Sequence, residues 1–232
     1  MHIERYVSAD VVCAASPWAF SAAHGPAIAQ YWQAEHLRKP ALFNGPVHVL
    51  RSHAAHGRHF RAEALATDFA TFLYWRDHGY PDRAVHGTGV AAVLRARDGE
   101  LLLGEAAAGT SNGGRIYLFS GMLDGHDRHA DGSLDITGLA ARELAEETGL
   151  PRAELTQVPG IAVVFDGVWI TFAVEFRSPA SAAELSGRIK AHIAAAGAPE
   201  IADVHVVRGV ADIDEARMFG HTKAIIRDLF GC

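Results

Sequence analysis

Residues 135–150 have the sequence DITGLAARELAEETGL, which is the pattern of one amphipathic helix. Asp135 and Thr137 are each suited to cap its start, because a short polar side chain can accept a hydrogen bond from a free backbone amide. Gly149 is suited to the left-handed position that follows a helix. Leucines and alanines recur at helical spacing, so we expect one face of this helix to be buried.

The same segment carries three glutamates, Glu143, Glu146 and Glu147, at positions i, i+3 and i+4. This spacing predicts that all three project from one side of the helix, where their like charges repel one another. A hard divalent cation such as Mg²⁺ or Mn²⁺ would relieve the repulsion, because such ions prefer carboxylate oxygens. The alternative is a solvated surface, which is the usual place of paired glutamates on a helix.

The stretch RELAEETGL, residues 142–150, matches without exception the second half of the Nudix signature, R-E-U-x-E-E-x-G-U, in which U is aliphatic. The chain therefore resembles the Nudix hydrolase family. The resemblance implies an α/β fold, a Nudix-type α/β/α sandwich around a mixed sheet. It also implies an enzyme that uses Mg²⁺ or Mn²⁺ to hydrolyse the diphosphate linkage between a nucleoside and another moiety, as in a nucleotide sugar or ADP-ribose.

Roles for the helix residues follow from the same resemblance. Glu146 and Glu147 are expected to bind the metal, and Glu147 is also expected to be part of the catalytic machinery. Glu143 is expected to be either a metal ligand or the base that activates water. Arg142 would orient the glutamates by ion pairing, and a plain surface arginine is the alternative.

Residues 116–135, IYLFSGMLDGHDRHADGSLD, are similar to the strand and glycine loop of the family, with several residues inserted. Gly121 aligns with the glycine whose backbone carbonyl helps to bind metal in that family. The family has a glutamate eight positions before the arginine, whereas this chain has Leu134 there. Asp124 and Asp135 are therefore the acidic candidates in this loop, and the departure indicates a divergent subfamily.

Glu200, in the segment GAPEIADVHVV, precedes a predicted strand. Many Nudix relatives use an acidic residue from a later loop as ligand or base, so the resemblance makes Glu200 a candidate metal ligand. Asp203 is the second choice. A solvated loop glutamate is the alternative interpretation.

Arg115 lies in the segment TSNGGRIYLFS, just before the glycine loop. A basic residue beside clustered carboxylates could hold a substrate phosphate, and a structural ion pair is the alternative. Tyr117 and Phe119 are candidates for stacking on a base. Alternation along a strand would more often place one of the two in the core.

Strands and helices alternate around the glutamate helix. Asp-Gly pairs at 98–99 and 166–167 each separate two apolar runs, which predicts two β-hairpins. We expect a helix over 181–196, a strand over 202–208 and a terminal helix that holds Ile225 and Ile226 to follow.

The first 85 residues predict a small N-terminal α+β extension. Its expected elements are a strand over 11–15, a helix over 27–38 that Pro40 ends, strands over 47–51 and 60–65, and a helix from the cap Thr67 to His78. The turn at 79–82 marks the expected boundary between the extension, 1–85, and the Nudix domain, 86–232. The segments NGPVHVL and TDFATFLYWRD resemble the extension of Nudix enzymes that cleave UDP-sugars, which implies a substrate of that class.

This extension is expected to shape the substrate pocket or to form a homodimer. The histidines of HAAHGRH, residues 53–59, are more typical of a solvated loop than of a metal site, because no acidic or cysteine partner is spaced nearby.

The charge and cysteine content restrict the partners and the compartment. A net charge of −6 and a pI of about 6.1 argue against nucleic-acid binding, so the expected partner is a small phosphoanhydride substrate. Two cysteines indicate a reducing compartment. Without a signal-peptide pattern at MHIERYVSAD or a long apolar run, we expect a cytoplasmic protein that does not enter a membrane.

Two other functions compete with hydrolysis. A Nudix domain can sense a nucleotide without cutting it, but such modules often lack the helix glutamates that this chain retains. An isopentenyl-diphosphate isomerase-like enzyme would need a cysteine in the core, whereas Cys13 and Cys232 lie near the two ends of the sequence.

Overall fold

Strands and helices alternate along the chain in the computed structural model, which describes residues 1–124, 126, 128–197 and 199–231. The helices are α1 (Ala19–Arg38), α2 (Phe69–Asp77), α3 (Ile136–Thr148), α4 (Ala182–Ala195) and α5 (Gly220–Phe230). The strands are β1 (His2–Tyr6), β2 (Ser8–Cys13), β3 (Pro46–His56), β4 (His59–Asp68), β5 (Gly87–Arg95), β6 (Leu101–Ala106), β7 (Ile116–Tyr117), β8 (Phe119–Gly121), β9 (Ser133–Leu134), β10 (Thr156–Gln157), β11 (Ile161–Asp166), β12 (Trp169–Arg177) and β13 (Ile201–Val207).

The two predicted hairpins are confirmed, and they form the centre of the main sheet. This sheet has the order β1-β11-β12-β5-β6-β13, and β12 and β5 run parallel, which makes the sheet mixed. The short strands β7, β8 and β10 pair with β6, β5 and β12. A second sheet has the order β3-β4-β2-β9.

Both faces of the main sheet are covered. Val90 and Leu94 of β5 face a core that is shared with α3, α4 and the second sheet. Ala91 and Val93, which alternate with them, face a core that is shared with α5. Helices α1 and α2 cover the outer face of the second sheet. The predicted α/β/α sandwich with an N-terminal α+β extension is therefore confirmed.

The first helix is longer than its pattern indicated. It begins at Ala19 instead of residue 27 and continues through Pro26. The missing amide of a proline removes one helical hydrogen bond. Packing of the added turns offsets this loss, because the buried ring of Phe20 stacks on Trp18 at 4.8 Å between ring centroids. Among the described residues, no helix is long and apolar enough to cross a membrane.

Two other predictions for the extension need correction. The cap of α2 is Asp68 and not Thr67, because the Asp68 carboxylate accepts a hydrogen bond from the Thr71 amide at 2.8 Å. Strand β1 was not predicted, since its alternating charged residues showed no apolar run.

The extension and the rest of the chain share strand pairs across the expected boundary. Strand β1 pairs with β11 in the main sheet, and β2 pairs with β9 in the second sheet. Residues from both parts also contribute to one apolar core. Whether residues 1–85 act as a separate unit stays a prediction.

Candidate active site

Helix α3 is held firmly at both ends. Asp135 accepts a hydrogen bond from the amide of Gly138 at 2.8 Å, which is a cap of the type that contributes about 1 kcal/mol to stability. Gly149 follows the helix with φ +69°, the left-handed conformation. Leu139 and Leu144 are fully buried. The helix therefore presents a fixed face to the glycine loop.

The three glutamates of α3 range from buried to exposed. Glu147 is 8% exposed, and its carboxylate accepts a hydrogen bond from the amide of Ser120 at 3.0 Å. The side chain of Glu143 is 13% exposed, and that of Glu146 is 59% exposed. Two of the three carboxylates are thus largely removed from water.

Burial and crowding disfavour the charged forms of the two inner glutamates. Burial raises the pKa of Glu147 well above its usual range, the charges of Glu143 and Glu200 raise it further, and the bond from Ser120 opposes them. Burial also raises the pKa of Glu143 to about 7, although the adjacent Arg142 lowers it. The two inner carboxyl groups therefore favour their neutral forms, and a nearby cation would favour the charged forms.

Arg142 connects the helix to the glycine loop. One guanidinium nitrogen lies 3.0 Å from a Glu143 oxygen and 3.3 Å from a Glu146 oxygen. The other lies 3.3 Å from the carboxylate of Asp124. This geometry matches the orienting role that the sequence predicts for Arg142.

Asp124 is a part of the site that the sequence named only as a loop candidate. Burial raises its pKa, but the amide of His126, which donates to it at 2.7 Å, and the charge of Arg142 outweigh burial and hold the pKa below its usual range. Asp124 is thus a stable anion beside Arg142. Asp135, the other loop candidate, caps α3 instead.

Gly121 permits a close approach of strand to helix. A Cβ atom at this position would lie 2.3 Å from the carboxylate of Glu143. Gly121 ends β8, which pairs with β5, so its backbone cannot move away freely. Any larger residue would displace the glutamate.

Glu200 and Tyr117 interact electrostatically with the same carboxylates. The charge of Glu200 raises the pKa of both Glu143 and Glu147. Burial raises the pKa of Tyr117, and the charges of Glu147 and Glu200 add to this effect. Asp203 is engaged elsewhere, in an ion pair with Lys190 at 3.1 Å.

Arg115 lies at the edge of the site. Its guanidinium donates to the carbonyl of Ala216 at 2.9 Å and lies 5.4 Å from the ring centroid of Phe219. Among the described residues it forms no ion pair, and its role in phosphate binding stays a prediction. Tyr117 also contacts Phe219, at 5.7 Å between ring centroids, a neighbour that the sequence did not indicate. Phe119 is fully buried and unsuited to stacking on a base.

The donors fit a hard divalent cation by their chemistry, since all are carboxylate or carbonyl oxygens. Among the described residues, no three acidic, histidine or cysteine side chains already converge in metal-binding geometry. Glu143 and Glu146 form ion pairs with Arg142 instead.

Comparisons with known proteins give matches among solved structures. No family model and no curated protein matches the chain. Among solved structures, RenU, a Nudix hydrolase from M. smegmatis, is 20% identical over 62% of this chain and 83% of that chain, with a TM-score of 0.38. A Nudix hydrolase from Nitrosomonas europaea is 18% identical over 62% of this chain and 87% of that one, with a TM-score of 0.40.

A third match is a bifunctional NMN adenylyltransferase/ADP ribose pyrophosphatase from Francisella tularensis, in complex with AMP and a Mn ion. It is 18% identical over 68% of this chain and 44% of that chain, with a TM-score of 0.41. The chain is similar to Nudix hydrolases, the family that its RELAEETGL motif resembles. Because the TM-scores lie below 0.5, the chemistry has to be inferred from the chain's own residues.

Proposed function

We propose that this protein is a metal-dependent Nudix hydrolase that cleaves the diphosphate linkage of a nucleoside diphosphate joined to another moiety. The observation that carries the proposal is the pair Glu143 and Glu147, whose crowding and burial raise both pKa values. Burying two carboxyl groups beside each other is costly, and such arrangements cluster at functional sites.

The residues that would hold Mg²⁺ or Mn²⁺ are Glu146, Glu147 and the carbonyl of Gly121, with Glu200 as a further candidate. When bound, such an ion neutralises diphosphate charge and lowers the pKa of a coordinated water. Glu147 is already fixed by Ser120, so it is suited to a permanent ligand position.

Glu143 is the better proton acceptor of the inner pair. Its pKa of about 7 matches a base that works near neutral pH. Arg142 holds its carboxylate against the backbone of Gly121, which fixes its direction. Arg115 is suited to hold a substrate phosphate, because it is exposed and contacts the ring of Phe219, which the buried Tyr117 also contacts.

The proposal is tested by measuring phosphate-ester release from nucleotide sugars, ADP-ribose, dinucleotides and coenzyme A with Mg²⁺ or Mn²⁺. The variant Glu147→Gln removes the carboxyl group that would bind the metal, and Glu154→Gln is the matched control, because Glu154 pairs with Arg188 at the surface. We expect metal-dependent cleavage that falls by a factor of about 10² or more in Glu147→Gln and is unchanged in the control.

Two results would contradict the proposal of metal-dependent hydrolysis at this site. One is the absence of turnover together with saturable nucleotide binding by calorimetry, which would favour a sensing module. The other is cleavage that survives both a chelator and Glu147→Gln.

A further inference from the structure

Residues of the N-terminal region contact both ends of the inserted glycine loop, which lies between β8 and β9. At its start, Leu123 contacts β3. At its end, the amide of Cys13 donates to the carbonyl of Gly132 at 2.9 Å, and β2 pairs with β9. The glycine loop departs most from the Nudix signature. It is therefore held by residues 1–85, which lie outside the predicted Nudix domain.

His48 makes the contact at the start of the loop. The carbonyl of Leu123 accepts two hydrogen bonds from this residue, one from its backbone amide at 2.9 Å and one from its ring Nδ1 at 3.2 Å. His48 is 4% exposed and faces the core side of β3. Polar side chains at such positions are uncommon, and each needs partners for its ring nitrogens.

The partners of His48 define its protonation. A carbonyl oxygen only accepts, so Nδ1 carries the proton and Nε2 is left as the acceptor. The thiol of Cys13 lies 3.5 Å from Nε2 and is the donor there. Burial lowers the pKa of His48 and raises that of Cys13, so both are neutral and the arrangement does not depend on charge.

This contact reaches the glutamates in three steps. Leu123 precedes Asp124 in the chain, and Asp124 lies 3.3 Å from Arg142. Arg142 in turn lies 3.0 Å from Glu143. A shift of the Leu123 carbonyl would carry Asp124 with it and disturb the ion pair between Asp124 and Arg142.

We propose that His48 is a positioning residue, which fixes the glycine loop through the Leu123 carbonyl so that Asp124 can hold Arg142 against Glu143. It follows that the N-terminal region holds the glycine loop of the active site in position. The catalytic consequence rests on the proposed hydrolase function, whereas the position of the loop does not.

Two substitutions separate the hydrogen bond from the volume of the ring. In His48→Asn, the amide nitrogen can occupy the place of Nδ1 and donate to Leu123. In His48→Gln, the amide lies at the place of Nε2, on the Cys13 side, and the Leu123 carbonyl loses its side-chain donor. Both variants stay polar and neutral, so a general effect on folding would affect them alike.

The experiment measures hydrogen–deuterium exchange of peptides that cover residues 116–134, in metal-free buffer, together with kcat and KM on the best substrate of the panel. We expect exchange about tenfold faster in His48→Gln and close to wild type in His48→Asn, because local opening follows the loss of loop contacts. We also expect kcat to fall about tenfold in His48→Gln, with a smaller change in KM.

Equal exchange rates in His48→Gln and wild type would overturn the proposal. An equal increase of the exchange rate in His48→Gln and His48→Asn would overturn it too. If no substrate of the panel is cleaved by the wild type, the proposed hydrolase function fails, and the exchange measurement alone still decides whether His48 holds the loop.

Discussion

The carboxylate of Glu143 lies so close to the backbone of Gly121 that a Cβ atom there would be 2.3 Å from it. Strand β8 and helix α3 therefore meet without any side chain between them. This contact fixes where Glu143 can point, and it links the glycine of the loop to the proposed base.

Gly121→Ala should displace Glu143 and lower kcat/KM by about tenfold to a hundredfold, because small errors in the position of a catalytic group are costly. Steady-state kinetics with the best substrate will measure this. The control is Gly187→Ala on α4, where an added Cβ would meet no atom within 4 Å. Full activity of Gly121→Ala would show that the close contact is irrelevant to catalysis.

Glu143→Gln should stabilise the metal-free protein at neutral pH. A carboxyl group whose pKa rises from 4.5 to about 7 on folding keeps its proton longer in the folded state than in the unfolded state. Its contribution to the stability of the folded protein is therefore lost as the pH rises from 4.5 to about 7. Relative to wild type, the free energy of unfolding of the variant should be equal near pH 4.5 and higher by up to about 3 kcal/mol above pH 7.

Denaturant unfolding at several pH values, with a chelator present, gives this difference. Subtracting wild type from variant cancels the opposite contribution of buried histidines such as His48, whose pKa burial lowers. Glu154→Gln, at an exposed carboxylate whose pKa is held down by Arg188, should show no such gain above pH 7. A difference that shrinks with rising pH would contradict the assignment.

Arg142→Lys should lower kcat about tenfold or more, since one ammonium cannot hold Asp124 and Glu143 at once as the guanidinium fork does. The melting temperature should change little. Arg188→Lys changes a surface pair with Glu154 at 2.7 Å and is expected to be neutral. If Arg142→Lys keeps full kcat, the orienting role is wrong.

Glu200→Gln and Asp203→Asn test which acidic residue of the later segment serves the site. The charge of Glu200 raises the pKa of the buried Glu147, whereas Asp203 forms an ion pair with Lys190. We therefore expect Glu200→Gln to weaken Mn²⁺ binding by about tenfold and Asp203→Asn to leave it unchanged. Titration calorimetry with Mn²⁺ reports this directly. Weaker binding in Asp203→Asn alone would reverse the assignment.

Arg115→Ala should raise KM about tenfold and leave kcat and the melting temperature nearly unchanged, because its exposed guanidinium has no carboxylate partner among the described residues. Arg217→Ala is the comparison, since Arg217 forms an ion pair with Glu105 at 2.6 Å and should affect stability instead. An unchanged KM in Arg115→Ala would exclude it from substrate binding.

The parts of the molecule that local sequence determines were predicted well. Helix α3, from its cap Asp135 to Gly149, follows from spacing and caps that lie within a few residues of each other. Both Asp-Gly hairpins have the same local origin. The acidic cluster was predicted from its family resemblance, and the structure adds which glutamate is buried.

The features that the sequence did not predict depend on contacts between residues that are far apart along the chain. The pairing of β1 with β11 joins residues from opposite parts of the chain, and no local pattern indicates it. The support of Arg142 by Asp124, and of the loop by His48, arises only when β3 packs beside the loop. His48 alternates with apolar neighbours in PVHVL, and this position in a core-facing strand is the one signal that could have drawn attention to it.

The edge position of β1 also has a consequence for biosynthesis. His2 pairs with Phe165, so β1 has no partner in the main sheet until β11 has been made. Contacts between such distant residues form late, because a long loop must close first. The nascent chain should therefore acquire its N-terminal strand as one of the last steps of folding, after the hairpin of β11 and β12 has formed.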